Sequence, residues 1–267
     1  MPTRQPALFV PHGAPTMALR PGAAGAALAG LARTLATPRA IVAVSAHWDT
    51  AEPTVGFAER LETIHDFYGF DPALYRIAYP ASGCREGAGE VVAALRQAGL
   101  PALADDRRGL DHGAWIPLRL MFPEADVPVI PLSIQSHGGP PQAWRLGRAL
   151  APLAGRGFLV VASGNLTHNL GDYQLARHQG GQTPAYVREF PHWVAERLAA
   201  GDTAALLDYR RQAPGGARAH PSDEHLLPFF VALGAGGDHA QARRLHAGID
   251  DYVLAMDAYA FTPGDRS

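Results

Sequence analysis

Four continuous apolar runs constrain the fold of this chain more than any other feature of its sequence. They occupy residues 7–10, 40–45, 127–134 and 157–162, and polar side chains do not alternate with apolar ones within them. Strands of a sheet that is covered on both faces have this pattern, because neither face of the sheet meets water. The runs therefore predict buried strands of a largely parallel or mixed central sheet.

Helical patterns separate these runs. We predict helices over residues 23–36, 86–98, 140–153 and 184–200. Pro191 should kink or split the fourth helix, because proline removes one helical hydrogen bond. A late strand is expected within "DYVLAMDAYAF". This alternation of strand and helix predicts an α/β fold with helices on both faces of the sheet. No linker-like tract divides the chain, so we expect one catalytic domain over residues 1–267.

Composition excludes several classes of protein. The net charge of −2 gives no basic excess for binding nucleic acid or an anionic membrane. Cys84 is the single cysteine, which rules out an intrachain disulfide and a cysteine-based zinc or iron–sulfur site. The sequence also contains no secretory pattern and no run long enough for a membrane span. We expect a cytoplasmic protein, either a monomer or a homodimer, with a small-molecule substrate.

Three histidines follow apolar runs closely: His12 in "ALFVPHGAP", His47 in "IVAVSAHWDT" and His168 in "VVASGNLTHNL". In an open α/β sheet, ligands bind beyond the carboxyl ends of the strands. If each of these runs is a strand, the three imidazoles meet at that edge of the sheet. Neutral imidazole is the commonest metal ligand, and two or three imidazoles with open positions suit zinc or ferrous iron.

Other histidines are candidates for the same site. Pro228 fits best in the first turn of a helix, which puts His225 at or just before the helix start. His112 in "GLDHGAW" and His65 in "TIHDFYGF" are further candidates, with His65 as a substrate-binding residue. The sequence leaves open whether His220 or Glu224 contributes. No G-x-S-x-G elbow, dinucleotide-binding fingerprint or phosphate-binding loop is present to indicate a different chemistry.

Five ordered segments, read together, resemble a known family. They are "PHGAP", "SAHW", "LDHGAW", "ASGNLTHNL" and "HPSDEHLLP", and they span residues 7–228. The set resembles the LigB-like (class III) extradiol ring-cleavage dioxygenases, in the branch called DOPA 4,5-dioxygenase extradiol. The resemblance implies an α/β fold, catechol and O₂ as substrates, and Fe(II) as the active metal, with Zn(II) possible in the purified protein.

The resemblance also implies roles for individual residues. It gives His12, His47 and His225 as metal ligands, His168 as the catalytic base and His112 as a second catalytic histidine. Ala14 departs from the pattern, because the family usually has serine in "HGSP" at this position. Two alternatives from other classes remain at this point: a zinc-dependent hydrolase that uses the same ligands, and a non-enzymatic metal-binding protein in which His168 and His112 are dispensable.

Overall fold

The predicted strands form the centre of one eight-stranded sheet in a computed structural model, which describes residues 3–178 and 180–264. The strands are β1 (Ala7–Pro11), β2 (Ala40–Asp49), β3 (Thr54–Gly56), β4 (Leu103–Asp105), β5 (Val129–Ile134), β6 (Phe158–Gly164), β7 (Gln241–His246), β8 (Ile249–Asp250), β9 (Leu254–Ala255) and β10 (Ala258–Thr262). Their order in the sheet is β4-β3-β5-β2-β6-β1-β10-β7. The two short strands β8 and β9 pair separately as an antiparallel hairpin.

The sheet is mixed, and its centre is parallel. Strands β5, β2, β6 and β1 run in the same direction, whereas β10 pairs antiparallel with β1 and β3 pairs antiparallel with β5. The late strand predicted near the carboxyl terminus is confirmed as β10. The four parallel strands are the four apolar runs, and every residue from β1, β5 and β6 is buried.

Helices cover the sheet, as the apolar runs require. Helix α1 (Gly22–Ala32) packs on α3 (His112–Met121), and α4 (Gly139–Leu150) packs on both α2 (Arg85–Gln97) and α10 (Leu227–Ala235). This confirms the predicted α/β architecture of a single domain with a helix-flanked sheet. The helices are α1 (Gly22–Ala32), α2 (Arg85–Gln97), α3 (His112–Met121), α4 (Gly139–Leu150), α5 (Leu170–His178), α6 (Tyr186–Ala199), α7 (Thr203–Leu207), α8 (Tyr209–Gln212), α9 (Gly216–Ala219) and α10 (Leu227–Ala235).

Three local predictions need correction. Helix α6 continues through Pro191 and is not split. Val187, Pro191 and Val194 lie along one face of this helix, and all three are buried. The helix predicted to reach residue 153 ends at Leu150 and is followed by a 3₁₀ turn that has a proline at its start. Strand β2 continues to Asp49, past an irregularity in its pairing with β5, so His47 lies inside the strand and not after it.

Helix α10 positions the last of the predicted site histidines. All nine of its residues are buried, and Pro228 lies in its first turn as predicted. It crosses α4 closely at two glycines: a Cβ on Gly147 would lie 2.0 Å from the carbonyl oxygen of Val231, and one on Gly234 would lie 2.3 Å from that of Trp144. This contact fixes α10 against the sheet, and His225 comes two residues before the helix begins. Within the described residues, no helix is both long enough and apolar enough to cross a bilayer.

Candidate active site

Five histidines predicted from the sequence meet at the carboxyl-terminal edge of the parallel strands. His12 follows β1, His47 lies in β2, and His168 follows β6. His112 begins α3, and His225 precedes α10. All five line one cavity of about 320 Å³, which we call the histidine cavity. The position agrees with the general rule for ligand sites in α/β sheets.

The imidazoles of His12 and His47 face each other, with their Nε2 atoms 3.3 Å apart. The ring centre of His225 lies 5.3 Å from that of His12 and 4.9 Å from that of His47. His112 is equally near, with its ring centre 4.1 Å from that of His47. Side-chain nitrogens of His12, His47 and His112 all lie within 4.8 Å of one another. The three predicted metal ligands are therefore together, and His112 is a fourth imidazole in the same group.

An oxygen atom lies beside the Nδ1 atom of each predicted ligand. His12 Nδ1 is 2.9 Å from Ser163 Oγ, and His225 Nδ1 is 3.2 Å from Glu224 Oε1. His47 Nδ1 is 3.5 Å from Asp66 Oδ2. Metal-binding histidines usually have such a partner, which fixes the ring and leaves the other nitrogen for the metal. The donor set therefore fits a divalent metal held by Nε2 atoms.

Asp66 links two of the site histidines. Its Oδ1 accepts a hydrogen bond from the backbone N–H of His112 at 2.8 Å and lies 3.0 Å from His112 Nδ1, a contact that is not aligned as a hydrogen bond. Burial acts to raise the pKa of Asp66, but the contacts with His112 outweigh it and hold the pKa at about 2. Asp66 is therefore a carboxylate at neutral pH, and it lies close to the Nδ1 atoms of both rings.

The segment that carries His225 packs directly on the end of β6. The backbone N–H of Asn165 donates a hydrogen bond of 3.0 Å to the carbonyl of His225. A Cβ on Gly164 would lie 2.1 Å from that carbonyl oxygen, far inside van der Waals contact. Only glycine at position 164 lets the strand end approach the backbone of His225 this closely.

We therefore expect Gly164→Ala to destabilise the fold by about 1–3 kcal/mol, because one backbone must move away from the other. It should also lower the metal content, since His225 moves with its backbone. Gly89→Ala is the matched control: it lies in α2 with no atom within 4 Å of the added methyl group. Urea unfolding and elemental analysis measure the two effects, and a Gly164→Ala protein as stable and metal-rich as wild type would contradict this account.

His168 lies against a predicted metal ligand. Its ring stacks on that of His225, with centres 3.5 Å apart and planes only 5° from parallel. Its backbone N–H donates to the carbonyl of Ala219 at 2.9 Å, which fixes the loop after β6. The ring lines the histidine cavity next to the predicted ligands and has no hydrogen-bond partner for its nitrogens among the described residues. It is therefore available to a substrate bound there.

Burial favours the neutral form of three site histidines, His12, His47 and His168. It lowers the pKa of His47 and that of His168 to about 2, and the pKa of His12 well below its usual 6.5. Repulsion from the neighbouring histidines acts in the same direction. Neutral imidazole is the form that binds metal, so His12 and His47 are ready to bind a cation at neutral pH.

Apolar and aromatic side chains form most of the rest of the histidine cavity. Phe67, Phe70 and Tyr173 lie in its wall, together with Leu254. Tyr68 lies at the mouth and is 89% exposed. Flat aromatic rings pack well against such walls, whereas a highly charged ligand would not be stabilised by them. The cavity therefore suits a small aromatic molecule.

The remaining candidates lie in different surroundings. His65, predicted to bind substrate, is not in the cavity lining, because its Nε2 lies 3.0 Å from the carbonyl oxygen of Ile77 and its ring packs on Trp115. His220 is fully buried, with Nε2 2.8 Å from the carbonyl oxygen of Leu166, so it has a structural partner. Ala14 does line the cavity, and Cys84 caps α2.

Sequence reasoning missed Asp66 and Ser163 as partners of the site histidines. Asp66 directly follows His65 in a quoted segment, and Ser163 lies in "ASGNLTHNL". Their contacts join residues 46 and 151 positions apart. Glu224, whose contribution the sequence leaves open, contacts His225 Nδ1, and the hydrogen bond from His225 is the main reason that its pKa is lowered to about 2. Its carboxylate also lies within 4.8 Å of side-chain nitrogens of His168 and His225.

Comparison with known proteins identifies the class to which this fold and site belong. Residues 22–260 match the family described as the catalytic LigB subunit of aromatic ring-opening dioxygenase. The chain belongs to this family. It is an extradiol ring-cleavage dioxygenase, as relatives named for that activity also indicate.

The relatives are similar over most of their length. A protein of Beta vulgaris named 4,5-DOPA dioxygenase extradiol is 39% identical over 226 residues, which cover 84% of this chain and 83% of that protein. A protein of Escherichia coli K12 with the same name is 39% identical over 240 residues, covering 87% and 86%. The crystal structure of an uncharacterised protein of Escherichia coli K12 superposes with a TM-score of 0.79 at 31% identity, covering 96% of this chain and 99% of that one.

Proposed function

We propose that this enzyme opens a catechol-type ring beside its two hydroxyls, with ferrous iron held by His12, His47 and His225. The observation that supports this most directly is the convergence of five imidazoles in one aromatic-walled cavity. His12 and His225 have Nδ1 within hydrogen-bond distance of an oxygen atom, and His47 and His112 have Nδ1 close to Asp66, which leaves Nε2 for a metal. Ferrous iron held by these residues would bring the catechol and O₂ together and would supply the redox chemistry of ring opening.

The two remaining histidines would act on the substrate. His168, beside the ligand His225, is placed to take a proton from a catechol hydroxyl and to return it later. His112, oriented by Asp66, is placed to donate a hydrogen bond to the substrate where negative charge develops. Phe67 and Phe70 would hold the ring against the site and keep water out.

The substrate would be DOPA or another substituted catechol, since several relatives carry the name 4,5-DOPA dioxygenase extradiol. The cavity volume of about 320 Å³ lies in the range for small-molecule sites. We place this function in one catalytic domain over residues 1–267. The cytoplasmic location and the choice between monomer and homodimer stay predictions from the sequence.

Anaerobic reconstitution with ferrous iron tests the proposal. The iron-loaded protein should consume one O₂ for each catechol and form a ring-opened product that absorbs in the visible range. The zinc-loaded protein is the control and should consume none, because zinc has no redox chemistry. An iron-loaded protein that leaves every catechol intact but cleaves esters or amides would instead support the hydrolase alternative.

A further inference from the structure

The histidine cavity has one carboxylate in its lining, Asp251, and contains no lysine or arginine among the described residues that line it. Asp251 lies in the connection between β8 and β9, next to Val253 and Leu254 of the same wall. Its carboxylate has no ion-pair partner among the residues that the structure describes. The other acids near the site differ, since Asp66 and Glu224 contact site histidines.

The β8–β9 hairpin is tied to the segment that carries His168. Thr167 Oγ1 donates a hydrogen bond of 2.6 Å to the carbonyl of Val253 and accepts one of 2.8 Å from the backbone N–H of Ala255. The backbone N–H of Leu166 donates to the carbonyl of Ala255 at 3.2 Å. Thr167 is fully buried and precedes His168 directly. Asp251 is therefore part of the same unit as His168, at a fixed place relative to the reacting end of the cavity.

We infer that Asp251 selects substrates by the charge of the ring substituent, favouring catechols with a cationic side chain over those with an anionic one; this rests on the proposed function. The aromatic ring and its hydroxyls would occupy the histidine end of the cavity, so the substituent points away from the histidines. A substituent on the Asp251 side of the cavity meets a carboxylate. An ammonium group there is attracted, and a carboxylate is repelled.

A second cavity, of about 650 Å³, borders Asp251 on its other side and contains Arg188 and Arg244. Arg244 is paired with the buried carboxylate of Asp257. Arg188 lies in the lining of this second cavity and not in that of the histidine cavity. Asp251 is the charged side chain that the two linings share, so it is the first charge that a substituent from the histidine cavity would meet.

The test compares three catechols of similar size: dopamine, 3-(3,4-dihydroxyphenyl)propionate and 4-ethylcatechol, which are cationic, anionic and neutral. In the wild type, kcat/KM should be about tenfold or more higher for dopamine than for the propionate, a difference of about 1.4 kcal/mol. Asp251→Asn should reduce that ratio to within about threefold, and Asp251→Lys should reverse it. The change should fall on KM, because Asp251 does not touch the reacting ring.

Asp250→Asn is the matched control, because it removes the same charge from the neighbouring residue, which is outside the cavity lining. It should leave the ratio within about twofold of wild type, and added salt should weaken the wild-type preference, since salt screens exposed charges. A wild-type preference for the propionate, or a ratio that Asp251→Asn leaves unchanged, would overturn the inference.

The two proposals fail in different ways. If iron-loaded protein cleaves none of the three catechols, including 4-ethylcatechol with its uncharged substituent, the proposed function fails. Anaerobic binding of dopamine and of the propionate then still tests Asp251, because no turnover is needed to compare the two dissociation constants. If 4-ethylcatechol is cleaved and the charge ratio does not depend on position 251, only the role of Asp251 is wrong.

Discussion

Replacing His168 with alanine is expected to lower turnover by about 10²-fold or more, which is the usual scale for loss of a general acid–base group. The metal content should stay at the wild-type level, because His168 stacks on His225 and is not one of the proposed ligands. Iron content measured by elemental analysis and kcat measured by oxygen uptake on the same preparation separate the two quantities.

Two further variants make this result specific. His168→Gln keeps a polar side chain beside His225 but does not take up a proton near neutral pH, so it should lose as much activity as the alanine variant. His192→Ala removes an exposed histidine from the surface of α6 and should behave like wild type. A His168→Ala enzyme with an unchanged rate would remove His168 from the mechanism, and one that has lost iron would make it a ligand or a support for one.

The second large effect is loss of metal when a proposed ligand is removed. His47→Ala and His225→Ala should each weaken metal binding by more than the about 10–100-fold that loss of an orienting partner costs. His112→Ala should keep the metal and lose activity. Isothermal titration of metal-free protein with zinc measures the affinities without any need for turnover, and a melting curve for each variant shows whether the fold is intact.

These variants decide whether His225 or His112 is the third metal ligand, because both rings lie close to His47. The ring centre of His112 lies closer to that of His47 than the ring centre of His225 does, at 4.1 Å against 4.9 Å. The Nδ1 atoms of both rings contact a carboxylate. Retention of metal by His225→Ala together with its loss in His112→Ala would assign the third position to His112 and refute the proposed set.

Much of the fold could be predicted because the apolar pattern that indicates each central strand lies within a short stretch of the sequence. The runs that form β1, β2, β5 and β6 are apolar on both faces, and this pattern can be recognised from a few consecutive residues. Helix α3 was missed, because its sequence "HGAWIPLRLM" contains glycine and proline. Its start depends on Asp111, whose side chain accepts a hydrogen bond from the backbone N–H of Ala114 at 3.2 Å.

The sequence by itself determined which histidines lie near the carboxyl ends of which strands, and parallel strands then bring those histidines to one edge. Only the tertiary structure decided how each ring is oriented, which histidines share Asp66, and that His65 faces away from the cavity. The physical reason is the range of the interactions. Burial and strand propensity act on neighbouring residues, whereas His12 and Ser163 are 151 positions apart and meet only after β1 pairs with β6. Asp251 lines the cavity for the same reason, because buried Thr167 ties its hairpin to the loop of His168.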